Sequence, residues 1–163
     1  MNRAEIDQKI EQYGLGFDLL NTALAEIPKQ AWSFRPAPGE WNVHEIIVHM
    51  ADSESMSALR ARKLIAEPGS TLMGYAEAQW ADSLDYMGQD AEQALEIIRL
   101  ARKSTYDLLK RQPEEVFAHA VLHPEYPDEP YTFEQWLKIY ARHIPDHIEQ
   151  MKQNHLAWLE QHK

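Results

Sequence analysis

Four stretches of the chain carry apolar residues in steps that alternate between four and three. This spacing places the apolar side chains on one face of an α-helix, and its regular repetition is typical of helices that pack side by side. In the first stretch, 3–27, the apolar positions are Ile6, Ile10, Tyr13, Phe17, Leu20, Leu24 and Ile27. The pattern therefore predicts an all-α fold.

Capping signals give the later helices their starting points. Asn42 with Glu45, and Thr132 with Gln135, each have the spacing of a capping box, in which side chain and backbone bond reciprocally at a helix N-terminus. Pro or Gly residues just after each of the first three stretches indicate that a helix ends there. The predicted long helices are 3–27, 42–67, 89–111 and 132 to the C-terminus.

The connections between the predicted helices are long and rich in proline and glycine. Segment 72–85 could hold a short helix, whereas 113–130 has no long apolar period and is expected to be irregular. Helices of about 35 to 40 Å naturally associate side by side, so we predict a four-helix bundle with long connections. The connections could cross the bundle, and the order of the helices around it stays open.

Length and composition indicate one ordinary globular domain covering 1–163. The chain has 163 residues, of which 44% are hydrophobic and 26% are charged. No apolar run is long enough to span a membrane, and the first residues lack the apolar block of a secretory signal. We therefore expect a cytoplasmic protein.

Charge and cysteine content exclude several functions. The formal net charge of −10 disfavours binding to nucleic acid or to anionic lipid. The chain has no cysteine, which excludes disulfides, thiolate metal ligands and a cysteine nucleophile. Any metal must therefore be bound by His, Asp or Glu, and any thiol chemistry needs a thiol from solution.

Three histidines lie where one metal ion could bind them together. His143 and His147 are four residues apart on a strong helical pattern, which places both rings on one face beside the core. His49 lies on the core face of the second helix, between Ile46 and Ser53. Three imidazoles from two helices leave an open coordination position, which is typical of a reactive metal site.

The histidine pattern also has a plainer explanation. Pairs spaced by four occur by chance, and many half-buried histidines simply form a hydrogen bond to a neighbour. The pair His119 and His123 lies in an irregular segment, so a second metal site there is disfavoured. His44 is expected to face outward or to contact a loop, and we expect His155 and His162 to be solvated. Pro145, between the two ligands, is expected to kink the last helix.

Four polar residues lie within about one turn of the candidate ligands and could orient them: Glu45, Asp52, Ser53 and Gln150. Capping is the simpler role for Glu45, and solvation is the simpler role for Asp52. The sequence identifies no catalytic residue among them.

Two segments resemble the signatures of the DinB-like superfamily. Segment 36–54 reads P-x-x-x-E-W-N-V-H-E-I-I-V-H-M-A-D-S-E, and segment 140–151 reads Y-A-R-H-I-P-D-H-I-E-Q-M, which contains the H-x-x-x-H-x-x-Q pattern. The resemblance implies a four-helix bundle in which His49, His143 and His147 bind one divalent ion, nickel or zinc above all. It also implies a homodimer, and in a few relatives transfer or isomerisation with a low-molecular-weight thiol.

These observations leave three functional hypotheses. The first is a metal-dependent enzyme that acts on a small molecule, either a thiol-dependent transferase or isomerase, or a hydrolase. The second is a metal- or ligand-binding bundle without catalysis, with a role in stress. The third is a helical interaction protein whose partner binds the aromatic connections, which contain Tyr75, Trp80, Tyr126 and Tyr131.

Overall fold

Four long helices and a short one make up most of the structure. The structure, a computed structural model, describes residues 1–124 and 126–163, apart from the side chains of 126 and 127, so the expectation for Tyr126 lies outside the described residues. The helices of this described part are α1 (Arg3–Ala25), α2 (Val43–Ala66), α3 (Glu77–Ser83), α4 (Ala91–Leu109) and α5 (Phe133–Gln161). The predicted four-helix bundle is confirmed, with α3 in the segment that could hold a short helix.

The predicted capping boxes form at the starts of α2 and α5. The Asn42 side chain accepts a hydrogen bond from the Glu45 backbone N at 2.9 Å, and the Glu45 carboxylate accepts one from the Asn42 backbone N at 2.9 Å. Thr132 and Gln135 form the same reciprocal pair. These caps satisfy backbone N–H groups that a helix start otherwise leaves unpaired, and they fix the residue at which each helix begins.

The order of the helices around the bundle differs from their order along the chain. Helix α1 packs against α4 and α5, and α2 packs against the same two helices. Consecutive long helices α1 and α2 therefore lie diagonally opposite each other, as do α4 and α5. The connections 26–42 and 110–132 each cross an end of the bundle, which the sequence left open.

The expectation of an irregular segment 113–130 was wrong. After a short 3₁₀ helix (Glu114–Ala118), strands β1 (Ala120–His123) and β2 (Tyr126–Thr132) form an antiparallel pair. The prolines in this segment suggested a loop, but β2 is an edge strand, where a proline lacking its N–H is tolerated. Phe117 and Val121 of this segment are buried and close one end of the core.

A buried ion pair connects the four long helices near the middle of the bundle. Arg102 of α4 donates hydrogen bonds to the Glu54 carboxylate of α2 at 2.8 Å, the Tyr13 carbonyl of α1 at 2.6 Å and the Tyr140 carbonyl of α5 at 2.7 Å. Arg102 and Glu54 are 1% and 0% exposed. The buried face of α4 therefore includes Arg102 as well as apolar residues such as Ile98 and Leu109.

Glycine at position 16 makes room for this arginine. A Cβ atom there would lie 2.2 Å from Nη1 of Arg102, which is far inside van der Waals contact. Gly16 is thus required for the close approach of Arg102 of α4 to α1. Within the described residues, no helix is long and apolar enough to cross a bilayer.

Candidate metal centre

Helices α2 and α5 bring the three predicted histidines together. His49 lies on α2, and His143 and His147 lie one turn apart on α5, which continues through Pro145. Their ring centroids are 4.7 to 5.7 Å apart. One nitrogen from each ring lies within 4.8 Å of the other two, so the three could hold one metal ion.

The hydrogen bonding of the cluster fits a metal ion. His49 is 2% exposed, and its Nδ1 is buried without a hydrogen-bond partner in the described structure. Leaving a buried polar nitrogen unpaired costs free energy, and such exceptions call for an explanation. Three neutral imidazoles are a donor set that zinc, nickel and similar divalent ions accept. The residues present therefore fit a divalent metal ion.

The environment holds two of the rings in the neutral form that a metal needs. Burial lowers the pKa of His49 to about 3, with further lowering by His147 and His143. Burial also lowers the pKa of His147 to about 4, assisted by His143. Protons therefore do not compete with a metal for these two rings near neutral pH.

Gln150 sets the tautomer of His147. Nδ1 of His147 lies 2.9 Å from Oε1 of Gln150, one turn further along α5. Because an amide oxygen can only accept, this bond places the ring proton on Nδ1 and leaves the Nε2 lone pair free. Orientation of a ligating histidine through its other ring nitrogen is a common feature of metal sites.

Glu54 and Ser53 of α2 hold His143 from two sides. Nδ1 of His143 lies 3.4 Å from Oε1 of Glu54, which is longer than a strong hydrogen bond, and Nε2 lies 3.3 Å from Oγ of Ser53. The carboxylate favours a proton on Nδ1, and the lone pair of Nε2 then accepts from the Ser53 hydroxyl. In both α5 histidines, Nε2 thus carries the lone pair that a metal ion would bind.

The carboxylate of Glu54 remains charged although it is fully buried. Burial by itself raises the pKa of Glu54, but the Arg102 guanidinium and the His143 ring outweigh this effect, and the pKa is held below its ordinary value. The Tyr13 hydroxyl also donates to Glu54, at 3.3 Å. A fixed negative charge therefore lies behind His143, at the end of the buried network.

The predicted orienting residues divide into two groups. Ser53 and Gln150 contact the candidate ligands, as described above. Glu45 caps α2, as expected, and forms an ion pair with Arg35 at 2.6 Å. Asp52 was expected to be solvated, but it accepts a hydrogen bond from the Tyr86 hydroxyl at 2.7 Å.

Sequence reasoning missed two members of the site, Glu54 and Trp41. The Trp41 ring lies 4.7 Å from the His49 ring and covers it. Glu54 lies on the buried face of α2, four residues after Met50, and Arg102 interrupts the apolar face of α4 in the same way. Opposite charges on two apolar helix faces were a signal that could have predicted the buried pair.

The other histidines lie elsewhere. His44 contacts the backbone carbonyl of Gln89 at 3.0 Å, as expected for a loop contact. Nδ1 of His119 lies 2.9 Å from the Leu64 carbonyl, and in the described residues His119 and His123 belong to no metal-binding group. His162 is exposed, whereas His155 is half-buried beside Trp158 rather than fully solvated.

Comparison with protein families gives a match over most of the chain. The model of the DinB superfamily matches residues 12–151. “Putative metal-dependent hydrolase YfiT” of Bacillus subtilis is 26% identical over 110 residues, which cover 68% of this chain and 61% of that relative. The aligned part thus spans less than two thirds of YfiT. A relative of the same description from Bacillus licheniformis is 25% identical over 134 residues, covering 82% and 76% of the two chains.

Solved structures share the fold. The structure of YfiT, described as a four-helix bundle of unusual topology, matches with a TM-score of 0.86 at 21% identity, covering 94% of this chain and 87% of YfiT. A mycothiol-dependent maleylpyruvate isomerase matches with a TM-score of 0.69 at 12% identity, covering 90% of this chain and 60% of the isomerase. The unusual topology of YfiT agrees with the crossed connections described above.

Proposed function

This chain belongs to the DinB superfamily, and from that premise we propose that it is a metal-dependent enzyme acting on a small molecule. His49, His143 and His147 are proposed to hold one divalent ion, zinc or nickel. The observation that carries the proposal is the convergence of three imidazole nitrogens within 4.8 Å inside the bundle. The description of several relatives as metal-dependent supports it.

Hydrolysis is the reaction that we propose first. An ion bound by three histidines keeps an open position, polarises a carbonyl group and lowers the pKa of water to near neutrality. The chain contributes the orientation of two proposed metal ligands. Gln150 favours a proton on Nδ1 of His147, and Glu54 favours one on Nδ1 of His143. Trp41 packs against His49, which is buried.

Thiol-dependent transfer or isomerisation is the second candidate. The structural match to a mycothiol-dependent isomerase favours it. This chain has no cysteine, so a low-molecular-weight thiol would have to enter from solution and bind at the open position. The site offers no buried carboxylate free to act as a base, since Glu54 is engaged by Arg102.

The test is turnover by protein of known metal content. Zinc- and nickel-loaded wild type should hydrolyse members of a panel of small esters, amides and lactones, or transfer a thiol to electrophiles when bacillithiol or mycothiol is added. His143→Ala should abolish the activity, and His162→Ala, at an exposed position near the C-terminus, should retain it. Metal-loaded protein that turns over none of these substrates contradicts the enzymatic proposal and favours a binding bundle.

Metal retention should show an unusually low pH limit. Protons displace the metal only when the rings protonate, and the pKa values of His49 and His147 are about 3 and about 4. We therefore expect bound metal to persist to about pH 5 and to be lost near pH 4. Metal content after buffer exchange at each pH measures this, and a midpoint near 6.5, the ordinary histidine pKa, would contradict it.

The same pKa shifts have a consequence for folding of the metal-free protein. Below pH about 6.5 the unfolded chain takes up protons on these histidines while the folded chain does not, because folding lowers their pKa values. Stability should therefore fall as pH drops from about 6.5 towards 4. Circular dichroism recorded on the same samples separates loss of metal from loss of fold.

A homodimer, a cytoplasmic location and a thiol cofactor also belong to the proposal. The family resemblance supports the homodimer and the thiol. Size-exclusion chromatography with light scattering tests the dimer directly, at concentrations spanning the micromolar range.

A further inference from the structure

One arginine near the histidine cluster forms no ion pair with an acidic residue in the described part of the chain. Five arginines of the described chain form ion pairs with carboxylates: Arg3, Arg35, Arg99, Arg102 and Arg142. Arg60 is not among them, although acidic residues outnumber basic ones by 26 to 16. Its recorded hydrogen bonds are long, 3.3 Å to the Tyr140 hydroxyl and 3.4 Å to the Met73 carbonyl. Its Nε is buried without a hydrogen-bond partner in the described structure.

Three tyrosines surround this guanidinium. Arg60 Cζ lies 6.0 Å from the centroid of the Tyr75 ring and bonds to the Tyr140 hydroxyl. The Tyr131 hydroxyl is also buried without a partner in the described residues. Burial raises the pKa values of all three phenols, and the Arg60 charge opposes the rise in each case. The phenols therefore stay protonated, and the carboxylate in contact with the cluster, Glu77, accepts from the Tyr75 hydroxyl at 3.4 Å and forms no ion pair with Arg60 among the described residues.

The tyrosine cluster is continuous with the candidate metal centre. The Tyr140 ring lies 5.6 Å from the His143 ring. The Ser53 hydroxyl lies 3.3 Å from Nε2 of His143, and it lowers the pKa values of Tyr75 and Tyr140 against the larger effect of burial. Arg60 follows Ser53 by seven residues on the same face of α2, which is about 10 Å along the helix axis. Tyr140 connects the two positions, because its hydroxyl accepts from Arg60 and its ring lies beside His143.

A cavity borders Arg60. It has a volume of about 360 Å³, and its lining combines four apolar side chains with four polar or charged ones: Met56, Leu59, Leu72, Met73, Arg60, Lys63, Glu67 and Thr71. The second cation in its lining, Lys63, is already paired with Glu67 at 2.8 Å. Arg60 is thus the cation left to bind a ligand there. A cavity of this size and mixed lining accommodates a small organic molecule.

We infer that Arg60 binds the carboxylate of a small organic substrate whose reacting group lies at the three histidines. A planar guanidinium group donates two parallel hydrogen bonds to a planar carboxylate, and the phenol hydroxyls supply further donors. One guanidinium balances the single charge of a carboxylate better than the double charge of a phosphate. The inference rests on the proposed function and adds to it the substrate class, a small carboxylic acid.

The experiment uses glutarate as the probe and the uncharged, equally long glutaramide as its matched control. Zinc-loaded and metal-free full-length protein, labelled with ¹⁵N, is titrated with each compound to millimolar concentrations. The Nε–Hε signal of Arg60, identified by its disappearance in Arg60→Lys, reports directly on the guanidinium. Arg60→Gln is compared with Arg62→Gln, an equal charge change at an exposed position two residues away.

Glutarate should shift the Arg60 signal, and glutaramide should not. The dissociation constant for glutarate should rise at least tenfold in Arg60→Gln, less in Arg60→Lys, and by less than twofold in Arg62→Gln. Circular dichroism tests whether each variant is folded. If Arg60→Gln does not fold, Arg60→Lys takes its place in the comparison.

Three results would overturn the inference: a silent Arg60 signal in zinc-loaded protein, glutarate binding that Arg60→Gln leaves unchanged, or equally tight binding of inorganic phosphate. Failure of the protein to take up zinc would contradict the proposed function instead, and the metal-free titration still tests Arg60 in that case.

Discussion

Replacing Arg102 with methionine is expected to lower the free energy of unfolding by about 3 to 5 kcal/mol. The variant leaves the Glu54 carboxyl group fully buried and without its cation, so that burial raises its pKa unopposed by Arg102. The backbone carbonyls of Tyr13 and Tyr140 lose their donor as well. Urea unfolding followed by circular dichroism measures the loss.

Two further variants show whether the loss arises from the buried charge. Arg99→Met removes an arginine from the same helix whose partner, Glu96, is exposed, and should cost less than about 1 kcal/mol. The double variant Arg102→Met/Glu54→Leu should recover most of the lost stability, because it leaves no uncompensated charge. A single variant as stable as Arg99→Met, or a double variant that recovers nothing, would refute this role for the pair.

Replacing His49 with alanine is expected to remove most of the stabilisation that a bound metal gives to the fold. A ligand present at a thousand times its dissociation constant stabilises a protein by about 4 kcal/mol. Removing one of three ligands should weaken binding at least about 100-fold, so roughly 2.7 kcal/mol of that gain should disappear. Thermal unfolding with and without added zinc measures the difference.

The control for this experiment is His162→Ala, which removes an exposed histidine outside the cluster. It should keep the full zinc-dependent shift in melting temperature. An equal shift in wild type and in His49→Ala would mean that zinc binds elsewhere, and the proposed ligand set would then be wrong.

Periodicity and capping predicted the helices because both are local. Asn42 and Thr132 begin α2 and α5 where the sequence places them, since a capping box involves residues only three apart. The juxtaposition of His49 with the α5 pair was also predictable, because each lies on an apolar helix face. The helix order around the bundle was not, since it depends on packing between distant segments rather than on local pattern.

Interactions between distant residues account for the remaining differences. Glu54 and Arg102 lie 48 residues apart, and neither looks buried by its chemistry alone. The β1–β2 pair was missed because its prolines suggest a loop unless the strand is known to lie at an edge. Asp52 was expected to be solvated because its partner, Tyr86, comes from a connection whose path the sequence does not specify.

Metal content, measured by mass spectrometry on untagged protein purified without chelators, tests the central proposal most directly. We expect close to one equivalent of zinc, nickel or a similar divalent ion per chain in wild type, and close to none in His143→Ala/His147→Ala. The double variant should keep its helical circular dichroism spectrum, which would show that the loss of metal does not result from unfolding. A wild-type protein that is empty as purified and takes up no added metal, or a double variant that retains a full equivalent, would contradict the proposed three-histidine site.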